Sequence, residues 1–357
     1  MLYLRVRRTF IILSFLLFLS LRAEGQFLYH LPPPGTLLTK PDTTEVMIIG
    51  DVMMHKRQLE HDHSWFLRYI EPHMQKADFC IANMEFALGG PPYTGYPAFS
   101  TPDWYADYVA RCGADVFLLA NNHILDRGRT GFERTLMVYG KLRDSLGTRF
   151  TGAGVSPLIL QRRGLNIALV NFTYGTNVAP ETGAPDVMRM QVEQVRAAID
   201  SARRAGADFI VALPHWGTEY RLQHDRSQER WARLLVSEGC CAVVGAHPHV
   251  VQDTTHIDGA PVIYSMGNAV SNMSAENTRL ELAVTLRFVR DPVSGRKSML
   301  EPQLDWMWCT LPGKLTPSYA TILIKEWATR RSEWLIPSDF DNMMATLDRV
   351  RAATGIR

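Results

Sequence analysis

The chain has 357 residues, of which 46% are hydrophobic and 21% charged, and this composition excludes disordered and fibrous proteins. Thirty-eight Lys and Arg residues stand against 36 Asp and Glu residues, a formal charge of +2. The near balance lacks the basic surplus of nucleic-acid-binding proteins, so no nucleic-acid partner is expected. The length favours one large globular domain with a small appendage.

The N-terminal residues have the pattern of an export signal. Arg5, Arg7 and Arg8 precede an apolar run over residues 10–21, and the small residues Ala23 and Gly25 follow. The run is shorter than the roughly 20 residues that a membrane-spanning helix needs. We therefore predict a signal peptide or, as the alternative, a signal anchor over residues 1–25, and a linker over residues 26–44. The expected location is the periplasm or the outer side of the cell membrane.

Short apolar runs of strand length recur along the following chain, and amphipathic stretches lie between them. The runs are Val46–Ile49, Phe79–Ala82, Val116–Ala120, Ile167–Val170, Phe209–Leu213, Ala242–Val244 and Val262–Tyr264. The stretches with helical spacing are Pro102–Arg111, Gly131–Ser145, Val192–Ala205 and Ser227–Glu238. Continuous apolar runs predict strands that are covered on both faces. Their alternation with helices predicts an α/β fold with considerable parallel pairing.

The C-terminal part changes character. Leu280–Val289 and Ser298–Trp306 alternate between apolar and polar residues and flank a turn-rich segment over residues 291–295, which predicts a hairpin. Asp339–Ala353 is predicted to be a closing helix. The expected domain boundaries are 45–312 for the main domain and 313–357 for a helical extension packed on it. The five cysteines include the vicinal pair Cys240 and Cys241, and buried thiols fit them better than a disulfide framework.

Polar residues follow the predicted strands directly. The loops contain Gly50-Asp51, Asn83-Met84-Glu85, Asn121-Asn122-His123, His215-Trp216-Gly217 and Gly245-Ala246-His247-Pro248-His249. Because the carboxyl ends of neighbouring strands converge in open α/β sheets, these side chains are expected to meet. Carboxylates, amide oxygens and imidazoles bind Zn, Mn or Fe, and two ions sharing a carboxylate would use about six such ligands. Each loop taken alone also fits a hydrogen-bonded structural histidine or ordinary turn chemistry.

Several strings resemble, in order, those of the CapA family of capsule-synthesis (poly-γ-glutamate biosynthesis) proteins, a branch of the calcineurin-like metallophosphoesterases. They are residues 50–53, 83–85, 120–128, 215–220, 245–252 and 264–268, and they cover roughly residues 46–272. The resemblance implies a four-layer α/β/β/α sandwich of two mixed sheets.

The resemblance also implies roles for individual residues. Glu85 would bridge two metal ions, with Asp51 and His249 on one ion and Asn122, His215 and His247 on the other. The catalytic pair would be His123, as general acid or phosphoryl stabiliser, and Asp126, which would orient it. The substrate-binding residues would be Asn83, Glu219, Tyr220 and Asn268.

Two departures from the wider phosphoesterase pattern bear on the metal count. Met53 stands where the first motif usually has His, and Asn83 precedes Glu85 where the second motif usually has an aspartate. Both are usual in the CapA branch. Two divalent ions (Mn, Fe or Zn) are expected, and one ion is the alternative because Met53 supplies no imidazole. His55 is a possible substitute for the missing imidazole ligand. Otherwise we expect it to be a solvated surface residue.

Arginines near the expected site suit an anionic ligand, because a guanidinium binds carboxylate and phosphate bidentately. These are Arg57, Arg127 and Arg221, whereas Arg129 and Arg226 are interpreted as solvated loop residues. The expected function is an exported CapA-like protein of capsule or related surface-polymer synthesis with a metal-dependent phosphoesterase-type site. The alternative is a non-catalytic scaffold for an acidic surface polymer. Expected partners are an anionic polymer or phosphate ester and membrane proteins of a polymer-synthesis complex.

Overall fold

The computed structural model describes residues 42–183 and 185–357. The strands are β1 (Asp42–Val52), β2 (Phe79–Met84), β3 (Val116–Leu118), β4 (Arg149–Thr151), β5 (Leu158–Arg162), β6 (Leu165–Thr173), β7 (Phe209–His215), β8 (Ala242–Val244), β9 (Thr254–Ile257), β10 (Ala260–Ile263), β11 (Leu280–Arg290), β12 (Lys297–Met299), β13 (Gln303–Thr310) and β14 (Ala320–Leu323). The α-helices are α1 (Glu71–Lys76), α2 (Asp103–Arg111), α3 (Gly128–Leu146), α4 (Val192–Arg204), α5 (Arg226–Ser237), α6 (Ile324–Trp327) and α7 (Pro337–Thr354). Short 3-10 turns lie at Lys56–Glu60, His63–Trp65, Glu276–Arg279 and Arg331–Glu333.

These strands form two mixed sheets. In the described residues, the first has eight strands in the order β14-β13-β11-β1-β2-β3-β4, with β12 paired to β11. Its β1, β2, β3 and β4 are parallel to one another, whereas β1 and β11 are antiparallel. The second has six strands in the order β5-β6-β7-β8-β10-β9, with a parallel centre over β6, β7, β8 and β10.

The sheets pack face to face, and helices cover both outer faces. In β1, Val46 and Ile48 point into the core between the sheets, whereas Met47 and Ile49 point into the core under α1, α2 and α3. The outer face of the second sheet packs against α4 and α5. Side chains on opposite faces of one strand are thus both buried, which is why the apolar runs are continuous. The predicted four-layer α/β/β/α sandwich of two mixed sheets is confirmed.

The two sheets are joined where a segment over residues 264–270 leaves β10. The Met266 amide donates to the Gly245 carbonyl at 3.0 Å on one side, and the Asp51 amide donates to the Gly267 carbonyl at 3.0 Å on the other. The approach is so close that a Cβ on Gly50 would lie 2.1 Å from the Gly267 oxygen. Glycine at position 50 is therefore a steric requirement of the junction.

The predicted strands and helices are present within a few residues of their expected ends, except that the expected strand Ser298–Trp306 is divided into β12 and β13. The predicted signal segment and linker residues 26–41 lie outside the described residues, and residues 42–44 belong to β1. The segment 313–357 was expected to be a helical extension. It contains α6 and α7, but it also contains β14, an edge strand of the first sheet. The cysteines are free thiols, and all but the half-buried Cys241 are buried. Over the described part of the chain, no helix is both long and apolar enough to cross a bilayer.

A buried ion pair attaches the C-terminal helix α7 to the first sheet. The Arg279 guanidinium donates two hydrogen bonds to the Asp339 carboxylate, at 2.9 and 2.7 Å, and a third to the Cys309 carbonyl at 3.0 Å. It also lies over the Trp308 ring, 4.2 Å from the centroid. Both charged side chains are almost fully buried. Removing one partner would leave the other charge in the core without compensation.

We predict that Asp339→Ala lowers the free energy of unfolding by about 3–5 kcal/mol, because it strands the buried Arg279 guanidinium. The matched control is Asp341→Ala in the same helix, since Asp341 also pairs with an arginine, Arg331, but on the surface. Its cost should stay below about 1 kcal/mol. Urea-induced unfolding of both variants measures the difference, and equal costs would contradict the assignment.

Candidate metal centre

A cluster of buried carboxylates and imidazoles lies where the two sheets meet. Asp51 is at the end of β1, and Glu85 directly follows β2. From the second sheet, His215 ends β7, and His247 and His249 follow β8. All five side chains are at most 3% exposed. The carboxyl ends of parallel strands from both sheets thus converge on one point, as expected for this fold class.

Glu85 stands at the centre of this cluster. Its carboxylate oxygens lie 3.6 Å from Nε2 of His215 and 3.8 Å from Nδ1 of His249. Neither oxygen accepts a hydrogen bond from the described residues, although both are buried. Two triads of possible metal ligands share Glu85, and in each triad the ligand atoms lie within 4.8 Å of one another: Glu85, His215 and His247, and Asp51, Glu85 and His249. The structure therefore brings together the residues expected to surround a bridging Glu85.

Asp51 and His249 form one half of the cluster. Nδ1 of His249 lies 3.3 Å from an Asp51 carboxylate oxygen and donates to the amide oxygen of Asn268 at 2.9 Å. The Asn83 amide donates to the other Asp51 oxygen at 2.6 Å. Burial alone would raise the pKa of Asp51, but the hydrogen bond from His249 and the nearby imidazole charges lower it below its ordinary value. The hydrogen bonds to Asp51 and Asn268 raise the pKa of His249 against the effect of burial.

His215, His247 and Asn122 form the other half. The Asn122 amide oxygen lies 2.8 Å from Nε2 of His215, and the two imidazole rings are 4.8 Å apart. Burial and the neighbouring His247 hold the pKa of His215 well below its ordinary value. Burial also lowers the pKa of His247 to about 3. Both imidazoles are therefore neutral near pH 7, the form that binds a metal ion.

The backbone around Pro248 is strained. His247 and His249 have positive φ values of 101° and 58°, which non-glycine residues seldom adopt. Such a conformation costs on the order of 1–3 kcal/mol per residue and typically occurs at functional sites. Here it directs two successive imidazoles into one cluster.

The residues present fit divalent metal ions. The unpaired buried atoms include both Glu85 oxygens, Nδ1 of His247 and the amide oxygen of Asn83. Burial, followed by repulsion from Asp51, raises the pKa of Glu85 well above its ordinary value. A cation would compensate the carboxylates and fill the unused lone pairs. The mixed oxygen and imidazole donor set, without thiolates, suits Zn, Mn or Fe.

His123 and Asp126 lie beside the cluster as a hydrogen-bonded pair. Nδ1 of His123 is 2.7 Å from an Asp126 carboxylate oxygen, which also accepts from the Phe99 amide at 2.8 Å. The Phe99 ring packs edge-on against the His123 ring, with centroids 4.7 Å apart. Asp126 is thus held by the backbone and in turn holds the imidazole. The orienting role expected of Asp126 in catalysis remains a prediction.

The four expected substrate-binding residues separate into two groups. Glu219 and Tyr220 are exposed at the rim, where the Tyr220 ring lies 6.0 Å from the His249 ring. Asn83 and Asn268 are buried within the cluster. Their side-chain amides contact Asp51 and His249 and orient these possible ligands, and their expected contact with substrate remains a prediction. Glu219 also forms a third possible ligand group with His247 and His249.

Met53 and His55 do not contribute to the cluster. Met53 is buried in the hydrophobic core under the helices of the first sheet. The His55 ring packs on Phe99 and accepts a hydrogen bond from the Asn272 amide at 3.4 Å. Burial lowers its pKa to about 4. His55 is therefore neither the substitute ligand nor the solvated surface residue considered from the sequence.

The loop after β6 contains site residues that the sequence did not indicate. The Tyr174 ring lies 4.6 Å from the His247 ring. The Asn177 amide nitrogen is 3.2 Å from Nδ1 of His123, and its backbone amide donates to the Asn122 carbonyl at 2.8 Å. The signal that pointed to them was their position after a predicted strand, Ile167–Val170, at the same end as the other loops.

Solved structures with a similar chain trace include a calcineurin-like phosphoesterase, YfkN, from Bacillus subtilis. It is 12% identical, the alignment covers 87% of this chain and 100% of that chain, and the TM-score is 0.48. A phosphatase from Mycoplasma pneumoniae is 11% identical, with 75% and 94% coverage and a TM-score of 0.43.

Sequence comparison connects the chain to capsule-synthesis proteins. It is 25% identical to the capsule biosynthesis protein CapA of Bacillus anthracis over 253 residues and 26% identical to the PGA biosynthesis protein CapA of Bacillus subtilis over 256 residues. These alignments cover 65% and 67% of this chain and 61% and 66% of the relatives' own lengths, slightly less than two thirds of each relative. Residues 45–273 match the family described as bacterial capsule synthesis protein PGA_cap, and the chain belongs to this family.

Proposed function

We propose that the protein is an exported, metal-dependent phosphoesterase-type hydrolase that acts in the synthesis of an acidic surface polymer. The single observation that carries this proposal is the Glu85 carboxylate, buried, without a hydrogen bond and shared by two ligand triads. A scaffold has no need to keep such a group, because leaving it unpaired costs stability. The names of the relatives support a role in the synthesis of such a polymer, since those in Bacillus are capsule and PGA biosynthesis proteins.

The proposed division of ligands follows the two triads. Asp51 and His249 would hold one ion, Asn122, His215 and His247 the other, and Glu85 would bridge them. Ions bound there would supply positive charge that polarises a phosphoryl oxygen and activates water. His123, steadied by Asp126, would protonate the leaving oxygen or stabilise the transferring group. Tyr220 and Glu219 at the rim would meet the substrate first.

The proposed location and partners follow from the sequence. The arginine-flanked apolar run over residues 10–21 supports export to the periplasm or the outer face of the cell membrane. A protein at that location can act on a nascent anionic polymer or a phosphate ester, together with membrane proteins that synthesise or pass on the polymer. One observation favours a non-catalytic scaffold as the second candidate: Met53 packs in the core and leaves the Asp51 half of the centre with a single imidazole.

The first prediction of the proposed function concerns metal content. The protein supplemented with Mn, Zn or Fe should bind about two ions, because the triads share one carboxylate. Glu85→Gln should lower the content to at most about one ion, since the bridging negative charge is lost. His247→Ala should remove the ion that His247 would hold together with His215 and Asn122. Elemental mass spectrometry of the purified chain measures all three.

The control for metal content is His256→Ala, which removes an imidazole that pairs with Glu301 on the exposed surface. It should leave the metal content unchanged. One bound ion in the wild-type protein would support the one-ion alternative. No ion under any supplementation would exclude the hydrolase and leave the scaffold.

The second prediction concerns the His123–Asp126 pair. With bis(p-nitrophenyl) phosphate as a probe, His123→Asn should lower kcat by about 10²–10⁴-fold, because it removes the proton donor. Asp126→Asn should cost less, because the imidazole stays but loses its orienting carboxylate. Metal content should be unchanged in both, since neither residue belongs to a ligand triad.

The two variants are compared in steady-state kinetics, with His256→Ala again as the control. A loss of metal in parallel with activity would instead assign His123 to metal binding. Equal activity of His123→Asn and the wild type would remove it from the reaction.

A further inference from the structure

We propose that a cavity beside the metal centre is a second subsite, which binds an oxyanion group, carboxylate or phosphate, of an extended anionic substrate. This inference rests on the proposed function, because it concerns how the same substrate is held. The cavity has a volume of about 290 Å³. Its polar lining consists of Arg57, His61, Asn272, Ser274, Lys314 and Tyr319.

The two cations of this cavity, Arg57 and Lys314, form no ion pair with the described residues. No carboxylate is among its lining residues in the described part of the chain. Within residues 42–183 and 185–357, neither Arg57 nor Lys314 has an acidic side chain at ion-pair distance. Glu60 lies in the same 3-10 turn as Arg57, is exposed and does not line the cavity, but its charge acts on the Tyr319 hydroxyl in the cavity wall. A guanidinium and an ammonium that face one concave space favour an oxyanion there.

A second cavity is lined by carboxylates as well as by lysines. It has a volume of about 240 Å³ and is lined by Lys76 and Lys325 together with Glu45 and Asp305. There the Lys325 ammonium lies 2.6 Å from an Asp305 oxygen. One of its two lysines is thus already paired, and two carboxylates line the space, so an added anion would gain little. The two cavities are similar in size and differ in their balance of charge.

Part of the wall of the first cavity is held in place by contacts within the protein. The Tyr319 hydroxyl donates to the amide oxygen of Asn272, and the His61 ring packs edge-on against the Tyr319 ring at 5.3 Å. The turn that carries Lys314 is closed by its own amide, which donates to the Leu311 carbonyl at 3.2 Å. A rigid site loses less entropy when a ligand binds.

One loop connects this cavity to the metal centre. Asn268 contacts His249 at one end of the loop, and Asn272 lines the cavity at the other. Four residues of extended chain span at most about 14 Å, so the cavity and the centre lie within reach of one elongated molecule. Asn272 also donates to His55, which packs on Phe99 beside His123. A polymer with repeated anionic groups can therefore place one group in the cavity while another reaches the centre.

The test compares the binding of a fluorescently labelled hexaglutamate peptide to the full chain and to Arg57→Ala/Lys314→Ala. The double variant should weaken binding about a hundredfold, because each of the two charge-assisted hydrogen bonds contributes about tenfold. The matched control is Lys76→Ala/Lys325→Ala, which removes two cations from the second cavity and should change the affinity less than about twofold. A labelled hexaglutamine peptide should not bind.

The two possible sources of the oxyanion are separated by competition. If inorganic phosphate displaces hexaglutamate from the wild type and leaves the residual binding of the double variant unchanged, the subsite also accepts phosphate groups. Hexaglutamate binding that depends on Arg57 and Lys314 but resists phosphate would assign it to carboxylates. The proposal would be overturned if neither hexaglutamate nor phosphate bound to the protein. It would also be overturned if the double variant bound hexaglutamate as tightly as the wild type.

The failure of this subsite and that of the proposed function remain distinguishable. Binding is repeated with Glu85→Gln and after removal of metal by a chelator, and the contribution of Arg57 and Lys314 should persist in both. If it persists while the wild type binds no metal, the hydrolase fails and the anion subsite stands. If metal binds and the contribution of Arg57 and Lys314 is absent, the subsite fails and the hydrolase stands.

Discussion

The burial of the Glu85 carboxylate is the constraint around which the rest of the site is organised. An ionised carboxylate in a protein interior is unfavourable unless charge or hydrogen bonds compensate it. Glu85 has no hydrogen bond within the described residues, and Asp51 adds a second negative charge nearby. His249 compensates only part of this charge. The arrangement is therefore one that cations stabilise, and in their absence the cluster opposes folding.

Such a cluster is tolerated because everything around it is rigid. The amides of Asn83 and Asn268 fix Asp51 and His249 from below, at 2.6 and 2.9 Å. The backbone of Asp51 is itself fixed by the segment that crosses between the sheets, where Gly50 permits close approach. The strained backbone of His247 and His249 is held by hydrogen bonds to this region: the His247 amide donates to Asp51 at 3.3 Å, and the Asn268 side chain donates to the His249 carbonyl at 3.3 Å. The three apolar cores between the four layers supply the free energy of folding that offsets the cost of this polar centre.

Much of the fold could be predicted from the sequence, because strands that are buried on both faces have continuous apolar runs. The convergence of Asp51, Glu85 and the histidines followed from one rule about the carboxyl ends of parallel strands. The contacts of individual amides could not be predicted: the sequence does not tell that Asn83 donates to Asp51, since the rule about strand ends places both residues only at the same edge of the sheet. Nor does periodicity reveal how a loop folds back, so Tyr174 and Asn177 were missed. The edge strand β14 is too short to be distinguished from its helical surroundings.

The two halves of the centre are unequal, and the inequality has a structural cause. Position 53 follows the end of β1, where the backbone turns its side chain into the core under the helices, so Met53 suits that position as a packing residue. The half that contains Asp51 and His249 then has two carboxylates and one imidazole, whereas the other has two imidazoles, one carboxylate and the Asn122 oxygen. Glu219 approaches His247 and His249 from the exposed rim. The two halves therefore offer different donor sets, the first richer in carboxylate oxygen and the second richer in imidazole, and this difference follows from the packing of Met53.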